Sequence, residues 1–220
     1  INGKILDEQQ RKCMVWDIER GQSNQIEPLP WQTDTCIGSW HYNKPIFDNH
    51  KYKSAKTVIH TLIDVVSKNG NLCLSVPVKG DGTIDSDERK IVEEIGQWMQ
   101  INSECIYDTR PWNIFGEGPA IANAAPLNAQ GFNEGKGKPF THEDIRFTVK
   151  GNTLYACFLG WPESQQLIVK SIVSNAGTVE LLGHGKIDFT SGSDGLKVKL
   201  PLQRPCENAY VLKIEGANLK

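Results

Sequence analysis

The feature that most restricts the fold of this 220-residue chain is a change of apolar rhythm near Pro111. Before it, strand-like runs alternate with stretches of helical spacing; after it, strand-like runs follow one another across turns. Cys13-Met14-Val15-Trp16 and Asp34-Thr35-Cys36-Ile37 read as short strands, each running into a polar, Gly-containing stretch. Over 54–68, Val58, Ile59, Leu62, Ile63, Val65 and Val66 recur at helical spacing, with Ser54 as N-cap and Gly70 as the stop. Residues 72–78 read as a buried strand and Gly80-Asp81-Gly82 as a loop. A second helix then starts at Asp85, whose carboxylate can cap free amides while Glu88 reaches back. Its apolar face is Ile91, Val92, Ile95, Trp98 and Met99.

Strand, loop and helix in succession form the grammar of an α/β fold with parallel strands. The first half is too short for a whole βα barrel, which takes about 250 residues. Periodicity alone leaves both a partial barrel and a small doubly wound sheet open. Past Pro111, residues 112–140 are rich in Gly, Ala, Asn and Pro and read as an extended linking segment. Strand-like runs then fall at 145–149, 154–159, 167–173, 179–182, 196–200 and 210–214, divided by turns such as Lys150-Gly151-Asn152. That spacing predicts an all-β sandwich. The expected organisation is an α/β unit over 1–111, a linker over 112–140 and a β-sandwich over 141–220.

A formal net charge of -2 supplies no basic surplus for phosphate backbones or anionic lipid, which argues against nucleic acid and membrane partners. No apolar run approaches the roughly 20 residues that span a bilayer. The chain opens without methionine or a signal-peptide pattern, so the true N-terminus is expected upstream. Its six cysteines form no CxxC pair and have no histidine at ligand spacing, which argues against a structural zinc site; buried free thiols are the first reading, and the even count leaves disulfides, and with them the redox compartment, open. Asp81, Asp85 and Asp87 do not match a calcium-binding loop and read as turn and cap chemistry.

The stretch Trp31-Gln32-Thr33-Asp34-Thr35-Cys36-Ile37-Gly38-Ser39-Trp40-His41-Tyr42 resembles a segment of glycoside hydrolase family 29, the α-L-fucosidases. The resemblance continues in order through Asn69-Gly70-Asn71-Leu72, Asp81-Gly82-Thr83-Ile84, Ile95-Gly96-Gln97-Trp98 and Ile101-Asn102-Ser103-Glu104. It extends into the second half through Gly160-Trp161-Pro162, Gly195-Leu196-Lys197-Val198 and Val211-Leu212-Lys213-Ile214. It implies the last strands and helices of a TIM-type βα barrel followed by a β-sandwich, and removal of α-L-fucose from oligosaccharide or glycoprotein glycans with retained configuration. No cofactor is implied, because the mechanism needs only a carboxyl pair and a shaped pocket. The family's nucleophilic Asp falls upstream of Ile1 by this alignment, so the chain alone is expected to be inactive and to expose strand edges. Members are commonly periplasmic, secreted or lysosomal, which is what the resemblance implies while no targeting segment is present in the sequence; oligomeric state stays open, a homo-oligomer of the full-length enzyme included.

Asp17-Ile18-Glu19-Arg20-Gly21 resembles an element of some members in which the Glu donates the proton, and Glu19 is the expected general acid/base. A carboxyl at the C-terminal end of a barrel strand also stands where that architecture puts its chemistry. Glu27 is the reserve. The bland reading of Glu19 is a surface ion pair with Arg20 or Lys4. Lys4 stands where members often carry a sugar-binding Arg, and a lysine offers a point charge in place of a planar fork. Trp16, Trp31 and Trp40 are candidate sugar platforms, with core packing as the competing role. His41 could line the site, or be structural. A carbohydrate-binding module centred on 141–220 is the alternative from another class; it requires an exposed aromatic platform among Phe147, Tyr155, Phe158, Trp161, Phe189 and Tyr210.

Overall fold

The computed structural model describes residues 1–127, 132–173 and 176–216. Its first unit is a four-stranded sheet of β1 (Asn2–Gly3), β2 (Val15–Glu19), β3 (Trp31–Cys36) and β4 (Gly70–Ser75), adjacent in that order and all parallel. Helices α1 (Lys44–Asp48) and α2 (Ala55–Ser67) make the crossover from β3 to β4. α3 (Ser86–Asn102) follows β4. The parallel α/β grammar is present, and the four strands form an open sheet with β1 and β4 at its edges.

The helix starts follow the caps that the sequence provides. Ser54 Oγ accepts from the Thr57 amide at 3.2 Å, and Asp85 Oδ1 from the Asp87 and Glu88 amides at 2.9 and 2.8 Å. The end of α2 differs from expectation. Asn69, at φ 70°, makes the left-handed turn expected of Gly70, and Gly70 is already the first residue of β4. Its glycine serves a close approach, because a Cβ there would lie 2.5 Å from the Trp31 indole. β4 is also shorter than the 72–78 expected and half-open to solvent; Cys73, paired with Asp34 on the sheet face away from the helices, is exposed, as is Cys13. Cys36, Cys105 and Cys157 are buried free thiols, as read. On α3, Trp98 is buried and Ile95 and Met99 pack beside it, while Val92 faces solvent.

The second unit begins earlier than expected. β5 (Arg110–Glu117) is the edge strand of a six-stranded antiparallel sheet, so the start of the 112–140 linker is regular structure. A short helix, α4 (Pro119–Ala122), follows. The sheet is completed by β6 (Ile145–Lys150), β7 (Thr153–Phe158), β9 (Thr178–Leu181), β10 (Gly185–Lys186) and β13 (Tyr210–Glu215) in the order β10-β9-β13-β7-β6-β5. Facing it is a three-stranded sheet ordered β11-β12-β8, from β8 (Gln166–Val169), β11 (Phe189–Gly192) and β12 (Gly195–Lys199). Each apolar run read as a strand after residue 140 contributes one.

Both faces of the large sheet are covered. Leu154, Ala156, Phe158, Leu212 and Ile214 meet Leu167, Val169, Leu196 and Val198 of the small sheet. The alternate residues Tyr155, Cys157 and Val211 meet Ile59 and Ile63 of α2 and Trp98 of α3. Two buried faces explain why β7 reads as a continuous apolar run. The layers are therefore parallel sheet, helices, large sheet and small sheet. The helices anchor to the sandwich through Trp98 Nε1, which donates to the Ala209 carbonyl at 2.8 Å, and through Arg146 of β6, whose Nε donates to Asp64 of α2 at 2.6 Å.

Candidate active site

Alternation along β2 sends Ile18 into the core beneath α2, with Trp31 and Val65, and puts Asp17 and Glu19 on the opposite face of the sheet. β3 repeats the pattern in register, Glu19 beside Asp34 and Asp17 beside Gln32. Lys4, just past β1, reaches over this face. Its Nζ lies 3.3 Å from Asp17 Oδ2, 3.1 Å from Glu19 Oε2 and 3.0 Å from Asp34 Oδ2. Burial works against the ammonium charge, and the carboxylates of Asp34, Glu19 and Asp17 outweigh it, raising the Lys4 pKa above its ordinary value. One ammonium among three carboxylates leaves the cluster net negative. Asp34 Oδ1 is buried and has no hydrogen-bond partner among the described residues.

Glu19 ends its strand, and the return of the chain at residues 132–134 fixes that end. The Phe132 amide donates to the Glu19 carbonyl at 2.8 Å, and the Glu134 amide to the Arg20 carbonyl at 3.0 Å. Arg20 turns at φ 43°. The Glu134 carboxylate accepts from Thr35 Oγ1 at 2.7 Å and Lys53 Nζ at 2.8 Å, with Arg20 Nε at 3.4 Å. Glu134 was missed by sequence reasoning. It lies in the stretch read as linker, and nothing in its local sequence signals a contact with strand ends a hundred residues away.

The expected site residues divide. Glu19 and Lys4 come together, and in the manner of the bland ion-pair reading. Glu27 is excluded by topology, since it precedes β3 and so lies at the opposite end of the parallel sheet from the end of β2. It is buried, with its carboxylate accepting from Arg11 Nη2 at 2.8 Å and Ser23 Oγ at 2.6 Å. Trp31 is fully buried on the helix side and donates its indole N–H to the Lys68 carbonyl at 2.9 Å, so packing is its role and it offers no sugar platform. Trp16 packs beside it, with Nε1 donating to the Lys4 carbonyl at 3.1 Å. Trp40 and His41 are exposed in the loop after β3, at the same end of the sheet as Glu19.

Among the described residues no group of three or more His, Cys, Asp or Glu side chains is arranged to hold a metal ion, and no helix is long and apolar enough to cross a membrane. The aromatic platform that a carbohydrate-binding module requires is not found there. Phe147, Tyr155, Phe158 and Tyr210 are buried, and Trp161 and Phe189 are partly buried against the same core.

Residues 1–104 match the family model described as alpha-L-fucosidase, and residues 138–215 match that of the alpha-L-fucosidase C-terminal domain. Tissue alpha-L-fucosidase of Mus musculus is 28% identical over 197 residues, covering 86% of this chain and 38% of that protein. Plasma alpha-L-fucosidase of Homo sapiens is 26% identical over 208 residues, covering 89% and 40%. Among solved structures, an alpha-L-fucosidase superposes with a TM-score of 0.72 at 26% identity, covering 92% of this chain and 42% of the other. The Thermotoga maritima alpha-fucosidase in complex with fucose gives 0.67 at 27%, covering 86% and 41%. The chain thus spans about two fifths of the length of the relatives it matches. With both halves matched, in the order barrel end then C-terminal domain, the chain belongs to the α-L-fucosidase family.

Proposed function

We propose that this chain supplies the acid/base half of a retaining α-L-fucosidase, with Glu19 as the proton donor and the nucleophilic carboxylate contributed by a segment outside residues 1–220. The observation that carries this reading is the position of Glu19, at the C-terminal end of β2 on the polar face of the parallel sheet, facing Lys4 beside Asp34. In a retaining enzyme two carboxyl groups stand about 5–5.5 Å apart; one attacks the anomeric carbon while the other protonates the departing glycosidic oxygen. Glu19 then takes a proton from the water that releases fucose, and is restored. The substrate class is a fucosylated oligosaccharide or glycoprotein glycan.

Lys4 has a defined part in this scheme. Glu19 must turn to the glycosidic oxygen with a proton, and an ammonium bound only to Glu19 would oppose that. Here Lys4 is also held by Asp17 and Asp34, which keep it in place while Glu19 is engaged with the sugar. Lys4 is then free to offer its remaining donor capacity to a sugar hydroxyl.

The test compares residues 1–220 with a protein in which they are preceded by the barrel strands that the relatives carry, on an aryl α-L-fucoside, following the anomer of released fucose by NMR. Only the extended protein is expected to act, releasing α-fucose first. Turnover by residues 1–220 alone would mean that the nucleophile lies within them, at Asp17 or Asp34; release of β-fucose first would overturn the retaining mechanism.

A further inference from the structure

We propose that the cavity lined by α2, β6 and residues of 120–125 and 133–140 binds an oxyanion, a sulfate or phosphate group, at a site separate from the Glu19 face. The cavity holds about 640 Å³ and lies where the parallel unit meets the sandwich, a size and a setting in which ligand pockets recur. Six cations line it, Arg20, Lys53, Lys56, Lys68, Lys138 and Arg146, against two carboxylates, Asp64 and Glu134. Each carboxylate is divided between two cations. Asp64 accepts from Lys68 Nζ and Arg146 Nε, both at 2.6 Å, and Glu134 from Lys53 at 2.8 Å and Arg20 at 3.4 Å. Each trio therefore retains one positive charge, and the exposed Lys56 and Lys138 add two more at the rim. His60, also in the lining, adds none at neutral pH, because burial pushes its pKa down to about 4.

The inner trio makes the case strongest. Lys68 is 5% exposed and Arg146 3%, so their surplus charge is held away from bulk water, where an unneutralised cation is costly. Ring faces offset part of it, with Lys68 Nζ 4.8 Å from the Phe115 centroid and the Arg146 guanidinium 5.0 Å from that of Phe140. An anion in the cavity would neutralise the remainder. Ammonium and guanidinium groups arriving from several elements suit an oxyanion, which accepts hydrogen bonds from many directions. The anion has two potential sources, an ester group carried on a glycan or a free inorganic ion.

The test is calorimetric titration of the full chain with sodium sulfate and with galactose 6-sulfate, at an ionic strength held constant with chloride, alongside thermal denaturation. Saturable binding and a rise in Tm are expected for inorganic sulfate. The double variant Lys56→Glu, Lys138→Glu, at two exposed positions, is expected to weaken binding about tenfold or more while leaving the circular dichroism spectrum unchanged. Tighter binding of galactose 6-sulfate than of sulfate assigns the site to a glycan ester; equal or weaker binding assigns it to the free ion. Absence of saturable binding by both probes, or binding that the double variant leaves unchanged, overturns the proposal. Binding is read without turnover, so this result and the assignment of Glu19 stand or fall separately.

Discussion

His60 and Glu88 are buried ionisable side chains with opposite consequences for stability. His60 Nε2 lies 2.9 Å from the Asn208 carbonyl oxygen where α2 meets the sandwich, and burial pushes its pKa from 6.5 to about 4. The unfolded chain takes up the proton first as pH falls. Stability from neutral His60 is therefore full above 6.5 and is lost as pH falls through about 4, by about 3 kcal/mol in all. Urea midpoints measured from pH 7 to pH 4 should fall less steeply in His60→Gln than in the unaltered chain. Glu88, buried and pushed up to about 7 by burial and by Asp85, keeps its proton longer in the folded state. Its contribution is present below 4.5 and is lost as pH rises through about 7. Glu88→Gln should raise the urea midpoint at pH 8 and leave it nearly unchanged at pH 4. Neither environment was legible in the sequence. His60 reads as one of five histidines because the groups it meets, Phe140 and Asn208, lie far along the chain, and Glu88 reads as half of a capping box.

At the scale of elements, α2 and β6 are joined by a buried Asp64–Arg146 pair that Lys68 shares. Burial favours the neutral form of Asp64, and Lys68 and Arg146 together outweigh it, holding its carboxyl below the ordinary range. Asp64→Asn would leave two buried cations without their carboxylate, and a loss of about 3–5 kcal/mol in chemical denaturation is expected. A loss nearer zero would mean that solvent or an anion reaches those cations. Trp98→Ala removes the largest side chain of α3 from the helix–sandwich interface, together with its hydrogen bond to Ala209, for an expected loss of about 3–5 kcal/mol by the same measurement. Element identity was largely readable, because Ser54 and Asp85 are strong caps, β7 is an uninterrupted apolar run from Leu154 to Phe158, and β6 and β12 alternate apolar with polar residues. β5 was hidden by Pro111 and by the register shift between Pro111 and Gly116, both features of an edge strand. β10 is two residues long, and β11 carries a single apolar residue at a partly buried position, too little for a pattern.

At the scale of the molecule, the order of layers follows from the large sheet being buried on both faces, which no local pattern in the first half foretells. The same separation explains the uneven legibility of the site. The place of Glu19 on one face at the end of β2 was readable because strand alternation acts locally, while its proposed role and that of Lys4 rest on the family resemblance of residues 17–21 and of the stretch before Lys4. Asp34 as a partner of Lys4, and Glu134 as a clamp on the end of β2, arise only from strand register and from the return of the chain over the sheet. The face that carries Asp17, Glu19 and Asp34 is polar, and among the described residues the sheet ends at β1 and β4 with no further strand paired to them, which fits a role completed by further strands. The most direct measurement of the central claim is the dependence of log kcat/KM on leaving-group pKa for a series of α-L-fucosides, in the extended protein and its Glu19→Gln variant. If Glu19 donates the proton, the variant will lose about a hundredfold or more on poor leaving groups and little on activated ones, giving a much steeper slope. Two parallel lines would contradict the assignment, because a residue that only shapes the pocket weakens every substrate alike.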